Sequence, residues 1–430
     1  MRASIRTVVF AALLGGAASL PGAAADQNAP APARPGSSID DRVESLEKRL
    51  EEIRRIYEER IAALEIEIAA LKAGRAAPSG PDAISATPVS GMPETPPPPP
   101  PAAAPTQSTN YFNPSMAMIG NFLGVGGRNR TEALPNADLR ESEMSLQAIV
   151  DPYARADFFL AFPEEGAEVE EGFVTFTSLP AGLLAKVGRM RPSFGKINTL
   201  HLHVLPWADN PLPVVNLLGG DEGWIATGLS VGELIPLPGD VFSELTLQAF
   251  NEDAGDLFSA PGRSDLSYNA RYRVFSDLTE STNLDVGLSH GTGPNGITDT
   301  TDTSLDGVDV TIRWKPLRTA TYRSAIVRGE FIRSRREELS RTETASGWFL
   351  SGEYQLAKRW FTGARYEFAE RADDAALHDS GQAVLLTFWP SEFSQLRGEL
   401  RRRYYANGEK TDEVLLQLQF SIGAHGAHLF

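Results

Sequence analysis

From residue 111 onward the sequence keeps a two-residue rhythm, and no stretch is apolar for long enough to form a membrane-crossing helix. Leu245, Leu247 and Ala249 alternate with Glu244, Thr246 and Gln248. Val308, Val310, Ile312 and Trp314 alternate with Asp309, Thr311 and Arg313. Leu416, Leu418, Phe420 and Ile422 alternate with Gln417, Gln419 and Ser421. Period two gives each strand one wet and one apolar face. About sixteen such runs can be read between 115–124 and 412–422, most of them roughly 9–12 residues long. That exceeds the usual strand of a soluble sheet and suits a tilted strand crossing lipid. The connections also alternate. One set is short, as at Asp151-Pro152 and Lys358-Arg359-Trp360, and the other is longer or more polar, notably 192–225, 253–263, 291–303 and 335–345. The expected fold class is all-β, an antiparallel transmembrane β-barrel over 110–430, with both ends of the barrel on the short-turn side. A soluble sandwich would need a second layer over its apolar face, and no repeat period of a solenoid or propeller is visible.

The residues ahead of the barrel read as an export and spacer region. Arg2 and Arg6 precede the apolar run Thr7–Leu20, and Ala23-Ala24-Ala25 offers a cleavage site, so 1–25 has the layout of a signal peptide. Residues 26–38 are Ala/Pro-rich and expected to be disordered. In 39–73, Val43, Leu46, Leu50, Ile53, Tyr57, Ile61, Leu64, Ile68 and Leu71 recur at spacings of three and four, with Glu and Arg elsewhere. This is a heptad seam with one stutter near Tyr57, too narrow to be buried without a second copy, and it predicts an α-helical coiled coil. Ile and Val beside Leu on the seam leave dimer and trimer both open. Residues 74–109, with six prolines at Pro96–Pro101, form a semi-rigid linker. On the expected topology the coiled coil lies in the periplasm and the barrel in the bacterial outer membrane.

Composition narrows the function. The chain carries 40 Lys and Arg against 56 Asp and Glu, a formal net charge of −16, which argues against nucleic acid as a partner. Cysteine is absent, which excludes disulfides and thiolate metal sites. No nucleophile–base or paired-carboxylate arrangement stands out, so no catalytic residue, enzyme activity or cofactor is expected.

Arginines recur at wet-face positions, where lipid contact would cost about 2–4 kcal/mol each. Arg271, Arg273, Arg313, Arg328, Arg365, Arg397 and Arg401 are therefore expected to face a water-filled interior together with Asp309, Glu330, Glu367 and Glu399. Such a mixed field either tunes ion passage or holds the wall together. The long connection 192–225 is too apolar for an extracellular loop, with Leu200, Leu205, Leu212, Val214, Val215, Leu217 and Leu218. It is expected to fold inward and narrow the barrel, with His201, His203, Asp209, Asp221 and Glu222 as its polar residues. Two histidines two residues apart, with Asp209 nearby, imply no fixed third ligand, and no metal is expected on that spacing. Trp207, Trp224, Trp348, Trp360, Trp389, Tyr404 and Tyr405 fall near strand ends, as in an interfacial girdle. Phe430 resembles the terminal aromatic of outer-membrane assembly signals.

The segment Val187 to Gly195 (VGRMRPSFG) resembles a G-[KR]-x-[KR]-x-x-F-G stretch of the phosphate-selective porin O and P family, ahead of its inward loop. Signal peptide, short coiled coil, linker and a barrel of about sixteen strands is similar to that family's layout. The resemblance implies a trimeric, passive diffusion channel for small ions or solutes, assembled through coiled coil and barrel wall in contact with outer-membrane lipid. A phosphate-binding Arg ladder cannot be matched residue by residue. Two alternatives are a TonB-dependent receptor, for which 26–110 offers no folded plug, and a structural envelope tether without an open pore.

Overall fold

In a computed structural model the described residues are 114–423, apart from 133, 163–165 and 240. The expected signal peptide, disordered segment, coiled coil and linker, together with Phe430, all lie outside them. Sixteen antiparallel strands close into one barrel, each hydrogen-bonded to its sequence neighbours. They are β1 (Ser115–Gly127), β2 (Ala137–Asp151), β3 (Ala154–Ala161), β4 (Glu168–Phe176), β5 (Leu184–Met190), β6 (Ala226–Leu234), β7 (Val241–Phe250) and β8 (Ser267–Thr279) in one half. The other half holds β9 (Thr282–Pro294), β10 (Asp302–Trp314), β11 (Ala325–Glu337), β12 (Thr342–Ala357), β13 (Trp360–Glu370), β14 (His378–Ser391), β15 (Ser394–Tyr404) and β16 (Lys410–Gly423). β1 closes on β16 with Phe122 opposite Leu418 and Gly124 opposite Leu416. No helix among the described residues is long and apolar enough to cross a membrane.

The alternation explains both faces. In β16, Glu413 and Gln417 are buried inside while Val414, Leu416 and Leu418 are 44%, 62% and 44% exposed outside. In β10, Asp309 and Thr311 are buried while Val308 and Ile312 are exposed. Polar groups are inside and apolar groups outside, the reverse of a soluble protein, so the outer wall needs an apolar solvent. β9, β10 and β11 have 13 residues each. At about 3.4 Å per residue and a tilt of about 45°, such a strand rises roughly 31 Å, enough for the hydrocarbon core.

The short turns 152–153, 280–281, 358–359 and 392–393 share one end with the start of β1 and the finish of β16. Two expectations of loop length are corrected. The connection 335–345 shrinks to 338–341 because β11 and β12 keep pairing out to Glu337 and Thr342, whereas the β10–β11 connection lengthens to 315–324.

The longest connection, 191–225 between β5 and β6, folds into the barrel. Its only α-helix, α1 (Leu212–Leu217), starts after Pro211 with Pro213 in its first turn, where a missing N–H costs nothing. α1 packs mainly on β12 and β13. Phe194, Trp207, Leu218 and Trp224 of the loop are fully buried and join wall residues Leu305, Ile332, Phe349 and Leu385 in one apolar cluster. Burying each large side chain contributes about 1.5–3 kcal/mol, which is why the loop lies inward rather than in water. Trp207 and Trp224 thus belong to the interior and not to a girdle. Trp360, stacked on Phe388 at 4.5 Å, and Trp348, 5.6 Å from Tyr366, are exposed outside.

Candidate functional site: the inward loop and its wall

A loop inside a barrel brings backbone polar groups that must find partners. Here the wall supplies carboxylates. Glu330 on β11 accepts from the N–H groups of Lys196 and Ile197, each at 3.2 Å. Glu367 on β13 accepts from Leu212 N at 3.1 Å, and Glu399 on β15 from Ala208 N at 3.1 Å. At the loop base, Asn198 donates to Pro192 O and Trp224 O and accepts from Trp224 N, at 2.8–3.0 Å. Gly195 sits at φ 60°, and a Cβ there would overlap the Glu330 carboxylate. Glycine at this position therefore lets Glu330 reach the backbone of the next two residues.

Asp209 is the loop's main charged anchor. Its Oδ1 lies 2.6 Å from Arg365 Nη2, and its Oδ2 lies 2.5 Å from Arg401 Nη1 and 2.6 Å from Arg403 Nη2. Burial opposes its charge, but the guanidiniums of Arg365, Arg403 and Arg401 prevail and hold its carboxyl well below the usual range. Arg365 also lies 4.9 Å over the Trp207 ring, an attraction that strengthens when desolvated.

On β2 and β4, further round the wall, the loop meets a second cluster. Glu143 projects from β2, and Glu170 and Glu171 from β4. Across β3–β4, Phe159 pairs with Glu171 and Leu160 with Val169, so Glu170 is the extra residue of a β-bulge. The bulge turns two consecutive carboxylates toward the same loop. His201 Nε2 lies 2.9 Å from Glu171 Oε2, and its Nδ1 lies 2.8 Å from Glu143 Oε2 and 3.4 Å from Glu170 Oε2. Burial disfavours a charged ring, but hydrogen bonds to Glu143, Glu170 and Glu171 raise its pKa well above the ordinary imidazole value. His203 Nδ1 lies 3.6 Å from Glu143 Oε2. Asp209 does not join these histidines: it is drawn to the three arginines of β13 and β15. The sequence reading missed Glu143, Glu170 and Glu171. Glu143 stands at a wet-face position of its strand, but a bulge at Glu170 leaves no mark in the alternation.

No family model matches the chain. An uncharacterized protein of Aquifex aeolicus is 28% identical over 360 residues, covering 72% of this chain and 74% of its own. Among solved structures, the anion-selective porin from Comamonas acidovorans superposes with a TM-score of 0.52 at 12% identity, over 72% of this chain and 99% of that one. The chain has a porin-like barrel fold. The outer membrane channel DcaP of Acinetobacter baumannii superposes with a TM-score of 0.47 at 12% identity, over 72% of this chain and 96% of that one.

Within the porin-like barrel the wet-face residues divide by what they touch. Arg365, Glu330, Glu367, Glu399 and Arg401 hold the loop, as does Arg403. Arg271 pairs with Asp309 at 2.9 Å. Arg273 pairs with Asp285 at 2.8 Å, which also binds Lys196 Nζ of the loop at 2.9 Å. Arg313 is half-buried on the same face as Asp309 and Thr311. Arg328, paired with Glu353, and Arg397, which donates to Gln417 Oε1 at 2.7 Å, line a cavity of about 670 Å³ between His203–Pro206 of the loop and the short-turn end. Asp221 and Glu222 are exposed, because the chain turns back outward after α1. Their backbone carbonyls, not their side chains, make the described contacts, with Asn210 and Arg191.

Proposed function

We infer that the protein is an outer-membrane porin giving passive diffusion of small ions or solutes through a wet barrel narrowed by the 191–225 loop. The observation that carries this reading is the inverted burial. Charged and amide side chains line the inside, apolar side chains cover the outside, and one loop from the long-connection end crosses the interior above a cavity that carries charged side chains. A tether has no need of a charged, cavity-bearing interior. The pairs holding the loop make the constriction a fixed element and leave Arg328, Glu353, Glu392 and Arg397 as charges a solute meets in the cavity on the short-turn side. The anion-selective porin from Comamonas acidovorans, similar in fold, is consistent with this assignment.

The short turns, together with the start of β1 and the end of β16, are assigned to the periplasm, which sends residues 39–73 there as a coiled coil. A self-associating seam next to a porin-like barrel favours a homotrimer. Planar-bilayer recording of the purified full chain, with reversal potentials in a salt gradient, tests both statements. Stepwise openings in threes are expected. A folded, heat-modifiable barrel that passes no current would overturn the diffusion reading.

A further inference from the structure

The strongest unassigned chemistry in the molecule is the cluster around His201. Its five side chains come from three elements: Glu143 from β2, Glu170 and Glu171 from β4, His201 and His203 from the loop. Glu143 is 1% exposed, and its Oε1 is buried with no hydrogen-bond partner among the described residues. A buried, unpaired carboxylate oxygen is costly unless a cation completes it.

The geometry points to a site for one divalent first-row transition-metal ion of the zinc class, held by Glu143, His201 and His203 with Glu170 beside it, which clamps the constriction loop to the β2–β4 wall. Ligand atoms of a four-coordinate zinc with bonds of about 2.1 Å stand about 3.4 Å apart. His201 Nδ1 lies 3.4 Å from Glu170 Oε2 and 2.8 Å from Glu143 Oε2, and His203 Nδ1 lies 3.6 Å from Glu143 Oε2. The donor atoms of Glu143, His201 and His203 all lie within 4.8 Å of one another. Small movements of side chains around a common centre suffice to close them on one ion.

The other ring nitrogen adds an independent argument. His201 Nε2 is 2.9 Å from Glu171 Oε2. A proton on Nε2, donated to Glu171, orients the ring and leaves the Nδ1 lone pair facing two carboxylates. A ring so oriented can offer Nδ1 to a metal ion in place of its second proton, which repeats the carboxylate–histidine–metal pattern of metal centres. Charge agrees. With His201 neutral, three carboxylates stand against one guanidinium, Arg191 beside Glu170, which leaves two negative charges for a dication to neutralise. Two imidazoles with carboxylate oxygens favour zinc, copper, nickel or cobalt over magnesium or calcium. His203 also lines the cavity at the short-turn end, which gives an ion a route in.

The test uses the full chain purified without a histidine tag, stripped with chelator in detergent, and titrated with zinc alone, with magnesium as control. One zinc per barrel is expected, without competition from magnesium. Affinity should fall at least about tenfold in His203→Gln and about 10- to 100-fold in Glu171→Gln, which removes only the orienting carboxylate. Heat-modifiable migration verifies that each variant has folded. Cobalt, as a second probe, should give visible d–d absorption in the wild type that His203→Gln loses. Absence of saturable zinc binding by the folded wild type, or equal zinc affinity in wild type, His203→Gln and His201→Gln, would overturn the site. The readout is binding, so it stands whether or not the barrel conducts.

Discussion

The three guanidiniums that converge on Asp209 make a quantitative prediction about loop seating. Asp209→Asn keeps the side chain's shape and the backbone carbonyl that accepts from Arg365 at 3.3 Å, but deletes the charge. Removing one partner of a buried ion pair costs about 3–5 kcal/mol. Part of that is offset here. Arg365 retains Glu367 at 3.1 Å, Arg401 retains Glu413 at 2.8 Å and Arg403 retains Glu132 at 2.6 Å. The lower end, about 3 kcal/mol, is therefore expected, a shift of about 10² in the equilibrium between seated and released loop. The chain contains no cysteine, so Ala208→Cys, at a position 1% exposed beside Asp209, gives a unique thiol reporter. Thiol labelling should accelerate about 100-fold when Asp209→Asn is added, because labelling tracks the open fraction. Channel current should become larger and noisier, with the reversal potential shifted toward anions as three arginines lose their counter-charge. Labelling that changes less than threefold would refute the anchoring role. The wild-type pH dependence follows from the same geometry. A carboxyl held below its unfolded value contributes anchoring above the unfolded pKa and loses it only as pH falls through the lower folded value. The Asp209 tie should therefore still protect the introduced thiol from labelling at pH 5.

Gly195→Ala should cost at least about 1–2 kcal/mol from positive φ alone, with a further cost from pushing Glu330 off Lys196 and Ile197; faster labelling of the same thiol reporter, in the Ala208→Cys background, checks this. Trp207→Ala should lose about 3–5 kcal/mol of loop packing while heat-modifiable barrel migration is retained, and its single-channel conductance should rise. Leu416→Arg places a charge on the lipid-facing wall and should destabilise the barrel by about 2–4 kcal/mol in urea titrations in lipid, whereas the neighbouring interior Gln417→Ala should leave assembly intact and change conductance instead.

The barrel was legible because each strand carries its own alternation. β16 reads from Val414 to Ile422 without help from any neighbour, and all sixteen strands overlap the runs expected of them. The inward course of the loop was legible as well, since Leu205, Leu212 and Leu217 have no reason to be apolar in water. The pairing of charges was not. Wet-face position says that Arg365 and Arg401 point inward, but their joint partner Asp209 lies 156 and 192 residues away, a relation that no local pattern encodes. Likewise, the girdle expectation groups Trp207 and Trp224 with the strand-end aromatics although both lie within the inward loop, which carries them into the interior. The bulge at Glu170 is invisible for a similar reason: one extra residue flips a carboxylate without altering composition.

The anchoring contacts also order the assembly of the molecule in time. The loop leaves the wall after β5, yet many of the residues that seat it stand on β11, β13 and β15, and the contacts to Leu212, Ala208 and Asp209 span 155 to 194 residues of chain. Contacts so distant form late, because the intervening chain must be organised first. While the early hairpins are being laid down, only its contacts to β2 and β4 can hold the loop. Its full seating therefore waits for the last strands, and until they are in place the nascent protein is an open sheet whose hydrophobic strap is tied at one side only.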